Sequence, residues 1–393
     1  AELGVSPRFI EKLNERDIRS PTPIQNLVIP PLLAGKNVIF RSATGTGKTF
    51  AYLIPLFQTY LGSGGTMPGE DPGRKGRGAE ILVVAPTLEL CSQIKKEADF
   101  LLEGQEPRIA VNLLIGSANP ERQIGALKKD RPRVIVGNPG RLLLLARMKK
   151  LTLSGLRALV LDEGDRLFAE ELARDTRELL GRINRDRQTA ACSATISPKN
   201  RELLVPFMGE RVLFTDAGDE GVLRDGIAHW AFFSEKRRKI QSLRSVLAAV
   251  KPKKALVFSG EGGQPGNIVS QLRYHHVPAA GLYGDMDKKS RKEAIDGFRS
   301  GKITVLISSD LAARGLDIPG ITHVIALDVP AEGGPYIHRA GRTGRAGRRG
   351  IMITIGDEVE MRRLARLEKK LGITVYPKIL YQGRVCAPDA ADC

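Results

Sequence analysis

The chain has 393 residues, which is long for one domain and predicts two or three. Its 42% hydrophobic and 27% charged residues are typical of a globular protein and exclude a chain disordered throughout, collagen and a disulfide scaffold. All apolar stretches are far shorter than the roughly 20 residues of a membrane span, so no membrane partner is expected.

Basic residues outnumber acidic ones by 61 to 44, which gives a net charge of +17 and favours a polyanionic partner, nucleic acid first. The excess is uneven: 33 basic and 28 acidic residues stand up to residue 228 (+5), and 28 and 16 stand after it (+12). From charge alone, a basic surface that is only solvated is about as probable as a nucleic-acid site. The four cysteines show no metal-ligand spacing, and the cytoplasm is the expected compartment, or an organelle if a targeting peptide was trimmed.

Short runs rich in valine, isoleucine and leucine alternate with helical patterns, as buried parallel strands do in α/β proteins. These predicted strands are 37–40, 81–85, 133–136, 158–161 and 189–192, then 255–258, 303–307, 323–327 and 351–355. The pattern predicts two tandem α/β domains, each a mainly parallel sheet with helices on both faces. Polar, glycine-bearing segments set the limits: a first domain at 1–214 with a loop at 62–78, a linker at 215–228, a second domain at 229–380 and a flexible tail at 381–393.

A phosphate-binding loop follows the first predicted strand. It comprises Ser42, Ala43, Thr44, Gly45, Thr46, Gly47, Lys48 and Thr49, and a helical pattern follows at 50–61. Glycines let backbone N–H groups surround phosphates at a helix N-terminus, while a lysine reaches the β and γ phosphates and a threonine hydroxyl meets Mg²⁺. Strand, loop and helix together predict a nucleotide site rather than a tight turn.

Carboxylates follow the buried run 158–161. Asp162 can hold magnesium, and Glu163 can orient or deprotonate the attacking water. The alternative is that these acids only cap the next helix. In the second domain, Arg339, Arg342 and Arg345 are spaced by three, which predicts one helix face and guanidinium groups able to contact a γ-phosphate. The alternative here is a nonspecific basic patch.

Eight short blocks of the sequence follow one another in a characteristic order: PTPIQ at 21–25, ATGTGKT at 43–49, APTLEL at 85–90, NPGR at 138–141, DEGD at 162–165, SAT at 193–195, SDLAARGLD at 309–317 and HRAGRTGR at 338–345. Together they resemble the DEAD-box ATP-dependent RNA helicases of superfamily 2. The resemblance covers about residues 9–379. It implies two RecA-like domains and an RNA-stimulated ATPase that uses ATP and Mg²⁺, binds RNA backbones and locally unwinds short duplexes.

The resemblance also implies residue roles. Gln25 would read adenine, with Ile18 where the family carries a stacking aromatic, and Gly315 and Asp317 would complete the nucleotide site near the ribose. Lys48, Thr49, Asp162, Glu163, Arg342 and Arg345 would be catalytic, with Thr49 and Asp162 on the metal. RNA would be held by Pro86, Thr87, Gly116, Gly140, Arg141, Ser259, Gly260, Arg291 and Ser309. Asp165, Ser193, Thr195, His338 and Arg339 would couple the ATP site to the contact between domains.

One departure is Gly164, where the family usually has alanine. The mechanism implied is that ATP and RNA close two otherwise mobile domains. A monomer is expected, with ribosomal or ribonucleoprotein components as candidate protein partners. Two alternatives remain: an ATP-gated RNA clamp or assembly platform with little unwinding, and a duplex-DNA translocase with the same two-domain motor.

Overall fold

The computed structural model describes residues 2–41, 47–61, 79–105, 107–193, 198–216, 226–260, 265–283, 286–313, 318, 320–344 and 348–388. These fall into two compact units, one ending at residue 216 and one beginning at 226. None of the described helices is both long and apolar enough to span a bilayer. The predicted loop at 62–78 lies outside the described residues.

A seven-stranded parallel sheet forms the centre of the first unit. Its strands are β1 (Asn37–Arg41), β2 (Ile81–Val84), β3 (Val111–Leu114), β4 (Val134–Gly137), β5 (Ala158–Leu161), β6 (Gln188–Ser193) and β7 (Val212–Asp216). They lie in the order β3-β4-β2-β5-β6-β1-β7. The helices are α1 (Pro7–Asn14), α2 (Pro23–Leu33), α3 (Lys48–Leu61), α4 (Leu88–Leu102), α5 (Pro120–Asp130), α6 (Pro139–Arg147), α7 (Gly164–Leu167), α8 (Glu170–Gly181) and α9 (Pro198–Leu204).

Alternate residues of β1 enter different cores, because successive side chains of a strand point to opposite faces of the sheet. Val38 and Phe40 pack with apolar residues of α2, α3 and α4, whereas Ile39 packs with those of α6 and α8. Both faces of the sheet are therefore covered by helices, which confirms the predicted fold class for this unit.

The second unit repeats this architecture. Its strands are β8 (Ile227–Phe233), β9 (Ala255–Phe258), β10 (Ala279–Leu282), β11 (Val305–Ser308), β12 (His323–Ala326), β13 (Gly350–Gly356) and β14 (Val375–Pro377), with a hairpin of β15 (Ile379–Tyr381) and β16 (Arg384–Cys386). The parallel sheet has the order β10-β11-β9-β12-β13-β8-β14. The helices are α10 (Lys239–Val250), α11 (Pro265–Tyr274), α12 (Lys288–Ser300), α13 (Asp310–Ala313), α14 (Gly333–Ala340) and α15 (Glu358–Leu371).

Strands occupy part of two segments expected to be irregular. Thr215 and Asp216 still belong to β7, and Ile227 begins β8, so regular structure enters both ends of the predicted linker. Residues 384–386, expected in a flexible tail, form β16 instead. The physical reason is that Leu380 and Val385 pair across the hairpin and pack against a core of the second unit.

Candidate functional site

The chemistry-bearing segments of the first unit meet at one edge of its sheet. Strands β5, β6 and β1 are consecutive neighbours and all run parallel, so the segments that follow them emerge together. Asp162 follows β5, Ser193 ends β6, and the loop after β1 leads into Lys48 at the first position of α3. Residues separated by more than 140 positions in the sequence therefore converge at this edge.

A buried ion pair lies at the centre of this edge. Lys48 Nζ lies 2.9 Å from Asp162 Oδ1, and Asp162 is fully buried while Lys48 is 7% exposed. Burial alone would lower the pKa of Lys48, but the adjacent Asp162 and the nearby Glu163 outweigh it and raise that pKa well above its ordinary value. The lysine therefore stays charged and is available for another anion.

Glu163, the second acid, has a strained backbone. Its φ of 52° and ψ of 52° place a non-glycine residue in the left-handed region, which costs about 1–3 kcal/mol and is common at functional sites. Its side chain is buried, and its Oε2 lies 3.5 Å from Arg166 Nε and receives no hydrogen bond from the described residues. One carboxylate oxygen thus retains unused acceptor capacity.

Asp165 and Ser193 connect the acidic segment to the end of β6. The two side chains hydrogen-bond, and burial together with Glu163 raises the pKa of Asp165 above its ordinary value. Gly164 between the acids is explained by packing: a Cβ there would lie 2.9 Å from Leu204 Cδ2. Leu204 thus occupies the space that an alanine methyl group would need.

The amide of Gln25 contacts the chain itself. Its Oε1 accepts a hydrogen bond from the Thr22 backbone N–H at 3.0 Å, and its Nε2 donates to the Gly47 carbonyl at 3.1 Å. Gly47 has a φ of +88°, and a Cβ there would lie 2.6 Å from the same Nε2, so only glycine fits. Gln25 therefore ties the start of α2 to the phosphate loop. Ile18 is half-buried and packs on the core.

Several predicted site residues lie outside the described residues. They are Ala43, Thr44, Gly45, Thr46, Thr195, Gly315, Asp317 and Arg345.

Arg141 is buried and bonds to the loop after β3. Its guanidinium donates to the Gly116 carbonyl at 3.0 Å, to the Ala118 carbonyl at 2.9 Å and to Gln123 Oε1 at 2.7 Å. Gln123 in turn donates to the Ile115 carbonyl at 3.1 Å. These contacts hold the shape of the loop that contains Gly116, whereas the resemblance implied a direct contact between Arg141 and RNA.

The other predicted RNA-binding residues of the first unit stand at helix starts. The Thr87 hydroxyl accepts a hydrogen bond from the Leu90 backbone N–H at 3.2 Å and caps α4, directly after the half-buried Pro86. Gly140 is at the start of α6, where a Cβ would lie 3.2 Å from Asp175 Oδ2. These residues lie at the same carboxyl edge as Lys48, after β2 and β4.

The second unit gathers its predicted residues at the corresponding edge of its own sheet. Strands β11, β9 and β12 are neighbours. Ser259 and Gly260 follow β9, and Ser309, whose hydroxyl accepts from the Ala312 backbone N–H at 3.2 Å, follows β11. Arg291 donates to the Ala312 carbonyl at 3.1 Å.

Arg339 joins two strand ends of this unit. It bonds both oxygens of Asp310 at 2.7 Å and also Asp328 Oδ2 at 2.9 Å, and it is 2% exposed. Asp310 follows β11 and Asp328 follows β12, so the guanidinium links the ends of two strands that flank β9. His338, its half-buried neighbour, lies in the same helix.

The predicted single helical face of arginines is wrong. Helix α14 ends at Ala340 with Gly341 as its C-cap, so Arg339 lies in the last helical turn and Arg342 lies beyond it in a turn. Gly344, with a φ of +67°, continues the non-helical path. Glycine is a poor helix former, so two glycines within four residues favour an end of the helix here. Arg342 is itself buried.

Sequence reasoning missed four polar partners at these edges: Tyr52, which donates to Asp162 Oδ2 at 2.9 Å, together with Gln123, Asp310 and Asp328. Asp310 belongs to the SDLAARGLD block at 309–317 but was given no role. Tyr52 stands three residues after Thr49 on α3, so helical spacing could have placed it near the nucleotide site.

Comparisons with known proteins agree with this architecture. Residues 22–204 match the DEAD/DEAH box helicase family, and residues 238–347 match the helicase conserved C-terminal domain. The chain is 35% identical over 362 residues to the DEAD-box ATP-dependent RNA helicase CshC of Bacillus cereus, covering 92% of this chain and 88% of the relative. It is 33% identical over 375 residues to the probable ATP-dependent RNA helicase YfmL of Bacillus subtilis, covering 95% of each.

A solved structure is also similar. S. cerevisiae Dbp5 bound to RNA and ADP BeF3 matches with a TM-score of 0.81 and 25% identity, over 96% of this chain and 95% of that one. The family matches, the two curated relatives and this structure all agree with the site geometry. The chain belongs to the DEAD-box ATP-dependent RNA helicases and is an RNA-stimulated ATPase of that family.

Proposed function

We propose that the chain hydrolyses ATP at the carboxyl edge of its first sheet and uses the energy to unwind or remodel short RNA duplexes locally. The observation that carries this proposal is the buried pair of Lys48 and Asp162 beside Glu163, because a structural role does not require a charged lysine and two acids at the mouth of a phosphate loop. We assign the two units as the two helicase domains, with the predicted limits of 214 and 229 moved to 216 and 227 so that β7 and β8 stay whole.

Lys48 is the residue that changes partner when ATP binds. Its ammonium leaves Asp162 Oδ1 and neutralises the β and γ phosphates, since a phosphate carries more negative charge than one carboxylate. Gln25 still has one N–H and one oxygen lone pair beyond its bonds to Thr22 and Gly47, and these are available to adenine. Ile18 provides an aliphatic neighbour for the base in place of an aromatic.

The residues present fit a magnesium ion. The donor chemistry is right, because Asp162 offers a carboxylate and Thr49 a hydroxyl, both of which are oxygen ligands. When bound, this ion would neutralise charge on the phosphates during transfer.

Glu163 orients the attacking water, and its Oε2 has the spare acceptor capacity for that role. In the proposed active state, Arg342 and Arg345 contact the γ-phosphate and stabilise the charge that spreads over it, a role worth about 10³ to 10⁵ in rate. Asp165, Ser193 and Thr195, with His338 and Arg339, relay nucleotide state to the RNA-binding residues.

RNA is held through its sugar-phosphate backbone, which positions a strand without reading its sequence. The relative with a solved structure is bound to RNA. In this chain the contacts are assigned to Pro86, Thr87, Gly116 and Gly140 in the first unit and to Ser259, Gly260, Arg291 and Ser309 in the second. Arg141 acts as a positioning residue for the loop at Gly116 because three of its five N–H donors bond to Gly116, Ala118 and Gln123 within the chain.

RNA-stimulated ATP turnover by the wild type and by Glu163→Gln tests the catalytic assignment. The variant keeps the size of the side chain and loses the charged oxygen, so we expect turnover to fall by about 10² or more while ATP binding persists. Equal turnover in the two proteins would overturn the assignment. Displacement of one strand from a short RNA duplex, with and without ATP, then separates an unwinding enzyme from an ATP-gated clamp.

A further inference from the structure

A fully buried tyrosine hydroxyl lies in the nucleotide site. Tyr52 is on α3, one turn after Thr49, and its hydroxyl donates to Asp162 Oδ2 at 2.9 Å. The Thr49 side chain stands one turn earlier on the same helix, on the side of this hydroxyl. A phenylalanine ring would fill the same apolar space without bringing a polar group into the interior, where an unpaired hydroxyl is costly. The apolar core therefore does not explain the hydroxyl, whereas its hydrogen bond to Asp162 does.

Asp162 is held at three points by three parts of the chain. Lys48 Nζ and the Glu163 backbone N–H both reach Oδ1 at 2.9 Å, and the Tyr52 hydroxyl reaches Oδ2. Of these three donors, only Lys48 must turn to the phosphates when ATP binds. The bonds from Glu163 and Tyr52 then remain to fix the plane of the carboxylate.

We propose that Tyr52 is a positioning residue for magnesium-dependent ATP binding. It bonds Asp162 and stands one helical turn from Thr49, the two side chains assigned to the ion, and it keeps the carboxylate in place after Lys48 has left. This inference rests on the proposed nucleotide site. Because the ligand oxygens are already oriented, binding needs less reorganisation, which is the general advantage of a preorganised site.

The test compares two tyrosines of the same helix. Tyr52→Phe removes only the hydroxyl at the site. Tyr60→Phe is the matched control, since Tyr60 is also buried on α3 but donates to Gln188 Oε1 at 3.0 Å, away from the acids. ATP affinity of the full chain is measured by titration calorimetry with saturating Mg²⁺ and again with EDTA, and the ratio of the two affinities is compared among the three proteins.

We expect Tyr52→Phe to lower this ratio by about ten- to 150-fold, the range for one hydrogen bond to a charged group. Affinity in EDTA should stay within about twofold of the wild type, and Tyr60→Phe should keep the wild-type ratio. An unchanged ratio in Tyr52→Phe, or an equal loss with Mg²⁺ and with EDTA, would overturn the proposal. A wild type whose ATP affinity ignores Mg²⁺ would overturn the proposed metal site as well.

Discussion

Arg339 is expected to stabilise the second unit, because its buried guanidinium bonds two aspartates at the edge of the sheet. Its guanidinium donates two hydrogen bonds to the Asp310 carboxylate, one to the Asp328 carboxylate and one to the Asp328 carbonyl. It also lies 5.3 Å from the centre of the Phe258 ring. Asp310 and Asp328 follow β11 and β12, the two strands that flank β9 in the sheet. Removing the arginine would leave two carboxylates near each other without the cation that neutralises them.

The magnitude follows from burial. Removing one partner of a buried ion pair typically costs about 3–5 kcal/mol. The side chains of Asp310 and Asp328 are 36% and 28% exposed, so water relieves part of the penalty and we expect the lower end, about 3 kcal/mol, for Arg339→Ala. Arg339→Lys keeps the charge but not the planar fork, and we expect about half that loss.

Urea unfolding followed by tryptophan fluorescence measures this effect in the right unit. Trp230 is the sole tryptophan of the chain and lies in β8, so its signal reports unfolding of the second unit. Arg349→Ala, at an exposed arginine of the same unit, is the control and should unfold like the wild type. A loss below about 1 kcal/mol for Arg339→Ala would refute the structural role and leave the guanidinium available for coupling.

Three further outcomes are expected. Asp165→Asn should unfold at a higher temperature than the wild type at pH 8 and show a smaller gain at pH 4. Because the pKa of Asp165 is raised in the folded protein, the protonated carboxyl stabilises the wild type fully below the ordinary aspartate pKa, and this stabilisation is lost as pH rises through the pKa of the folded state. Thermal unfolding followed by circular dichroism measures the difference, and a gap between the two proteins that does not change with pH would contradict the argument. The affinity for single-stranded RNA should fall with salt, with a log–log slope of about −0.7 per phosphate neutralised, and a flat titration would contradict backbone binding. Arg141→Leu should weaken RNA binding several-fold and leave ATP binding without RNA within about twofold, whereas equal losses of both would indicate a general folding defect.

Much of the fold follows from local patterns. Each predicted strand overlaps an observed one because buried parallel strands need continuous apolar residues, which periodicity detects. Seven strands of the described residues were not predicted, and four of them, β3, β7, β10 and β14, are the edge strands of the two seven-stranded sheets. Two of these edge strands show different physical reasons. Strand β10 has the sequence AAGL, whose small residues have low strand propensity, and Leu213 and Phe214 of β7 are exposed and lack a buried pattern.

The sequence predicted which kinds of residue form the candidate site, but not which side chains bond to one another. Strand order places Lys48 and Asp162 at one edge, and helical spacing places Tyr52 near Thr49. No sequence spacing shows, however, that the Tyr52 hydroxyl bonds an acid 110 residues away or that Arg339 bonds Asp310. Such contacts depend on how helices pack on the sheet. The arginine spacing misled because Gly341 ends the helix before Arg342.

The central claim is that ATP bound in the first unit is hydrolysed with the help of an arginine from the second. ATP turnover of the full chain with saturating single-stranded RNA, in the wild type and in Arg342→Lys, tests it most directly, with Trp230 fluorescence confirming that the variant is folded. We predict a fall in turnover of about 10³ or more with ATP affinity changed only a few-fold. Wild-type turnover in the folded variant would contradict the claim.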